Sequence, residues 1–192
     1  MGDERWEEAI ASFERFLYLV AEAPDRQRAY RNLAACALAL ERYDDALTAL
    51  DQASRLGPKD PDLAHSRGVI LACADHTAEA MVEFERLARH WPEAAREYDT
   101  QATLQHLRRI QSGEAPTGSY LVDHLEGQIS DNMHAGDWHL VERKDRRMIA
   151  ADPQRPEGHF AQGVACAQQE RYPDCLLYTS DAADDQGLGL LW

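Results

Sequence analysis

The sequence predicts an all-α fold, a solenoid of antiparallel helix pairs, and three observations carry that prediction. Two stretches share one skeleton 34 residues apart, in the pairs Tyr30 and Ala64, Ala34 and Gly68, Ala37 and Leu71, Ala46 and Ala80, Leu50 and Phe84, Pro58 and Pro92. A fixed period between about 20 and 50 residues marks repeats whose units cannot bury their apolar faces alone. Second, small residues recur at Ala34 or Gly68 and at Ala46 or Ala80, which lets two antiparallel helices approach closely. Larger residues, Tyr30, Leu50 and Phe84, then fill the space between units. Third, prolines stand where each second helix must stop.

The elements follow in order. Arg5 to Ala23 reads as an amphipathic helix with Ala9, Phe13, Phe16 or Leu17, and Val20 on its buried side. Ser12, Phe16 and Pro24 lie 34 residues before Ala46, Leu50 and Pro58, so residues 1–24 are expected to be a capping helix or half-repeat, and the chain to begin inside a repeat. Residues 27–60 and 61–94 form the two clear units, each helix, turn, helix. Glu93 to Ile110 is helical by period, with Tyr98, Ala102, Leu104 or Gln105, Leu107 and Ile110, and the turn formers of Gln111 to Gly118 end it. Pro92 to Pro153 spans 61 residues, 27 more than one period, which makes 95–121 an inserted helix and loop. Residues 122–155 resume a degenerate unit with Leu125, Ile129, Gly136, Trp138, Val141, Met148 and Pro153. Residues 156–174 supply the first helix of a further unit, with Gly163, Ala167 and Tyr172.

The skeleton resembles the tetratricopeptide repeat, whose pattern is W-x2-L-G-x2-Y, then A-x3-F, then P. The first unit reads Tyr30, Leu33, Ala34, Ala37, Ala46, Leu50 and Pro58, and the second Ala64, Arg67, Gly68, Leu71, Ala80, Phe84 and Pro92. Arg67 replaces an apolar residue, and Ala64 is small for its place. The resemblance implies a right-handed superhelical array in which the first helix of each unit lines a concave groove that holds a partner peptide. Carried onto matching positions, the groove shows Arg28, Arg31, Ala35 and Leu38, then Asp62, His65, Val69 and Ala72, then Asp123, Glu126, Ser130 and Met133. Its first end is basic and its later end acidic. Some relatives clamp a C-terminal carboxylate with Lys and Asn; here Ala35 stands where the Asn would be and Val69 offers no polar group. A short amphipathic peptide suits the apolar centre of Leu38, Val69 and Ala72 better. The expected function is a protein-protein interaction scaffold. The alternative is a regulatory or substrate-recruiting arm of a larger enzyme whose catalytic domain lies beyond residue 174.

Residues 175–192 have another expected origin. Cys175 to Asp184 resembles the in-frame translation of the transposon end used in sequencing libraries, so this tail, with Leu188 to Trp192, is set aside from fold reasoning. Leaving out Asp181, Asp184 and Asp185 reduces 34 acidic residues to 31 against 20 basic ones, a net charge of −11 instead of −14. Either value argues against a nucleic-acid partner, which needs a basic face.

No stretch approaches the roughly 20 apolar residues that span a bilayer, and the acidic start, Asp3, Glu4, Glu7 and Glu8, is unlike a secretory signal. A cytoplasmic location is expected. Cys36, Cys73 and Cys166 lack metal-finger spacing and sit in Ala-rich helical stretches, where a buried thiol is ordinary. His124, His134 and His139 with Asp123, Glu126 and Asp131 form the best metal-like cluster, but no ligand pair stands at helical i, i+4 spacing. Asp123, Glu126 and His134 could also suggest acid-base chemistry, yet no nucleophile or cofactor motif accompanies them. No catalytic, cofactor or metal site is expected.

Overall fold

The structure is a computed structural model that describes residues 2–57, 60–116 and 118–169, with side chains from Arg5 onward. The tail 175–192, Tyr172 and Pro58 lie outside the described residues. Ten helices and no strand are described: α1 (Gly2–Leu19), α2 (Ala23–Ala39), α3 (Tyr43–Leu56), α4 (Pro61–Cys73), α5 (Thr77–His90), α6 (Pro92–Glu97), α7 (Thr100–Gln111), α8 (Ser119–Ala135), α9 (Trp138–Ala151) and α10 (Pro156–Gln168). The chain divides into two units at Tyr120 and Leu121.

In the first unit each helix from α1 to α5 packs on the next. Ala34, Ala46, Leu50 and Ile70 share one buried cluster, with Tyr30, Leu33 and Leu38 packed against it. Gly68, Ala80 and Phe84 are likewise buried in α4 and α5. The skeleton that defines the period is therefore the packing core.

The turns repeat as well. Glu41 and Asp75 both take left-handed backbone, with φ of 60° each, and Gly136 does so at 75°. In each turn the next amide returns to a carbonyl five residues back: Arg42 to Ala37, His76 to Leu71 and Asp137 to Asn132, at 2.9, 2.9 and 3.0 Å. This is the closing bond of a Schellman motif, which satisfies carbonyls left open at a helix end. The steps of 34 and then 61 residues between the turns match the proline spacing. Only the third turn uses glycine, for which positive φ carries no steric penalty.

The continuous helix expected from Glu93 to Ile110 is corrected to two. Pro92 opens α6 at once after α5, and Asp99, at φ 47°, breaks the chain between α6 and α7. Both helices pack on α5. At the other end Leu17 is buried while Phe16 is partly exposed, which settles the alternative on α1. Arg26 closes that helix by donating to the carbonyls of Leu17 and Val20, at 2.5 and 2.9 Å.

In the second unit Val122, Leu125 and Ile129 of α8, Val141 and Met148 of α9, and Ala161 and Ala165 of α10 make one core cluster. The spacing of 61 residues places Ile129 where the first unit has Gly68, and Asp145 where it has Phe84. A large residue has entered the small position, and a short polar one the large position.

Candidate partner-binding faces

On α2, Arg28 is exposed and pairs with Asp25 at 3.0 Å. Arg31 reaches across to the loop and start of α4, donating to Asp60 at 2.9 Å and Asp62 at 2.5 Å. The Tyr98 hydroxyl also donates to Asp62, at 2.5 Å. That hydrogen bond, helped by Arg31, holds the Asp62 carboxyl below its ordinary range, and the same contact pushes the Tyr98 phenol up to about 12. Tyr98 further stacks on His65, with ring centroids 4.1 Å apart, and burial lowers the His65 pKa. Arg31 and His65 are thus spent on holding the first unit together.

The expected groove at α4 is corrected here. Val69 and Ala72 are only 8% and 2% exposed, so neither presents a face to a partner. The reason lies in the residues themselves: the end of α4 runs Gly68, Val69, Ile70, Leu71, Ala72, Cys73, all buried, and a helical stretch apolar on every side is covered on every side. Ala35 is exposed, and Leu38 is half-buried against the core.

The second unit presents an open depression of about 470 Å³ between α8, the start and last turns of α9, and α10. Ile129, Met133, Trp138, Met148 and Phe160 form its apolar walls, and Glu126, Ser130, His134 and Glu157 its polar ones. The expected positions Glu126, Ser130 and Met133 are therefore brought together. Phe160 is 68% exposed, so much of a large aromatic surface is left in water.

Charge gathers at one edge. Arg155, the residue before α10, places its guanidinium 2.9 Å from Asp123, 2.5 Å from Glu126 and 3.7 Å from Glu157. Nδ1 of His134 lies 2.7 Å from the Ser130 carbonyl oxygen; an oxygen there only accepts, so this nitrogen carries the proton. Among the described residues no group of three or more His, Cys, Asp or Glu is placed to hold a metal ion. Cys36, Cys73 and Cys166 are buried, and burial raises the Cys36 thiol pKa. Among the described residues, no helix is long and apolar enough to cross a membrane.

In the comparison with known families, residues 1–68 match the Tetratricopeptide repeat family. Residues 1–68 carry tetratricopeptide repeats. No curated protein matches the chain. Such repeats generally serve protein-protein interaction, and the matched span covers α1 to the middle of α4. The Schellman turn at Gly136, in step with those at Glu41 and Asp75, extends the same helix-turn-helix design into the second unit.

Sequence reasoning missed Phe160, Glu157, Trp138 and Asp145. The first two were within reach, because setting Pro156 in phase with Pro61 puts Glu157 opposite Asp62 and Phe160 opposite His65. Asp145 is fully buried, and neither carboxylate oxygen has a hydrogen-bond partner. Burial pushes its pKa up to about 7.

Proposed function

We propose that this chain is a non-catalytic interaction scaffold acting in the cytoplasm, and that it holds a partner peptide on the α8–α10 face of its second unit. The observation that carries the reading is the apolar depression of about 470 Å³ with Phe160 standing exposed in its wall. Met133 and Met148 add flexible, polarisable surface that adapts to a guest side chain. Arg28, Ala35 and Leu38 on α2 form a lesser surface of the first unit, whereas Val69 and Ala72 on α4 are buried. The net charge of −14 disfavours nucleic acid as the partner.

Phage display of random peptides against the whole chain tests this reading. Enrichment of a sequence family that binds the chain and loses binding to a Met133→Glu, Phe160→Asp variant supports it. No enrichment, or enrichment indifferent to both substitutions, contradicts it.

A further inference from the structure

Resting on that reading, we infer the chemistry of the partner: a peptide that inserts apolar side chains into the α8–α10 depression and carries Lys or Arg beside them. The seat is apolar. Ile129, Met133 and Met148 offer aliphatic and thioether surface, and Trp138 and Phe160 offer rings. A depression of this volume exceeds one side chain and falls within the range of about 300–1,000 Å³ of ligand sites. Two neighbouring apolar residues of a guest, on one face of a helix or alternate along a strand, are the natural occupants.

The edge decides the sign of the flanking charge. Three carboxylates, Asp123, Glu126 and Glu157, converge on the single guanidinium of Arg155. Glu126 and Glu157, the two that border the depression, share that one guanidinium, so two negative charges face one positive charge there. Arg155 is held in this clasp, so an incoming carboxylate or phosphate meets repulsion from Glu126 and Glu157, while an ammonium or guanidinium is attracted to them. The exposed ring of Phe160 adds to the preference, because a cation over an aromatic face is attracted by the ring quadrupole. Glu126 and Glu157 border the depression itself. Apolar seat and acidic edge are therefore adjacent, which fixes the basic residue next to the anchor in the guest.

The occupant differs from the one the α2 end would choose. Arg28 and Arg31 sit there, but Asp25, Asp60 and Asp62 already pair with them, so that end has no surplus positive charge to recruit an acidic peptide.

The test uses the whole chain and three synthetic peptides with one shared apolar core, flanked by Lys and Arg, by Gln, or by Glu, with affinity read by fluorescence anisotropy. The expected order is basic over neutral over acidic, with about tenfold between the extremes at low salt and about twofold in molar salt, where the screening length falls to roughly 3 Å. The double variant Glu126→Gln, Glu157→Gln should narrow the low-salt gap between the basic and acidic peptides. Equal binding of all three peptides overturns the inference yet leaves the groove reading standing. Binding of none overturns both. Self-association that competes with peptide and is abolished by Phe160→Ala assigns the face to a second copy of the chain, and also overturns the inference.

Discussion

Gly68 lies so close to the Phe84 ring that a Cβ built on it would stand 2.8 Å from Cζ. The equivalent residues one period earlier, Ala34 and Leu50, belong to one buried cluster and pair a methyl group with a shorter side chain. Gly68→Ala should therefore lose about 1–3 kcal/mol to overpacking, more than the ~1 kcal/mol that Ala gains over Gly in a helix. Adding Phe84→Leu copies the earlier pair and should recover part of that loss. Urea unfolding of both single variants and the double variant checks this, and strictly additive effects would contradict it.

Tyr98→Phe removes the hydroxyl that holds Asp62 below its ordinary range. A carboxylate with a lowered folded pKa stabilises above its unfolded value, and that contribution disappears as pH falls through the folded value. The variant should titrate Asp62 closer to 3.8 and show a shallower acid loss of stability. Carbon-detected NMR titration of the Asp62 carboxyl reports it; an unmoved midpoint would sink the assignment.

Asp145 gives the opposite pH dependence. Its pKa is raised to about 7, first by burial and then by Glu142, with its own helix's backbone and Arg146 opposing. It stands one turn from Val141 and from Met148, whose cluster partners on α8 and α10 are all apolar. A raised folded value means that this group's contribution to stability is greatest below about pH 4, falls as pH rises toward 7, and levels off above it. Asp145→Leu should flatten that slope and add about 2–4 kcal/mol at neutral pH. Unfolding at pH 4.5 and 7.5 measures both effects, and equal pH slopes in the two proteins would contradict the account.

Phe160→Ala separates binding from folding. The side chain is 68% exposed, so its removal should leave the melting temperature within about 2 °C, since exposed substitutions usually stay within about 0.5 kcal/mol. Affinity for a selected peptide should fall about tenfold or more, as expected for a central aromatic anchor. A large drop in melting temperature would place Phe160 in the core instead.

Much of the fold was legible in the sequence because the period rests on packing. Ala34, Ala46, Leu50, Gly68, Ala80 and Phe84 recur in phase and are buried, and the proline at 92 marks a true boundary. The break at Asp99 was illegible, because Asp in left-handed backbone leaves no periodic signal and the apolar spacing runs through it. The groove was legible by phase alone, not by burial. Phase placed Glu126, Ser130 and Met133 at the depression, but it placed Val69 and Ala72 in the stretch 68–73, which is apolar on every side and buried. Asp145 escaped because the pattern seeks apolar residues, so a carboxyl in the large position reads as a gap.

The central claim is that the partner seat lies on α8 and α10 and not on α4. Methyl NMR of the chain labelled at Ile, Val and Met, titrated with a display-selected peptide, tests it most directly. The account predicts shifts at Ile129, Met133 and Met148 with Val69 and Ile70 unmoved. Shifts at Val69 and Ile70 with Met133 and Met148 unmoved would contradict it.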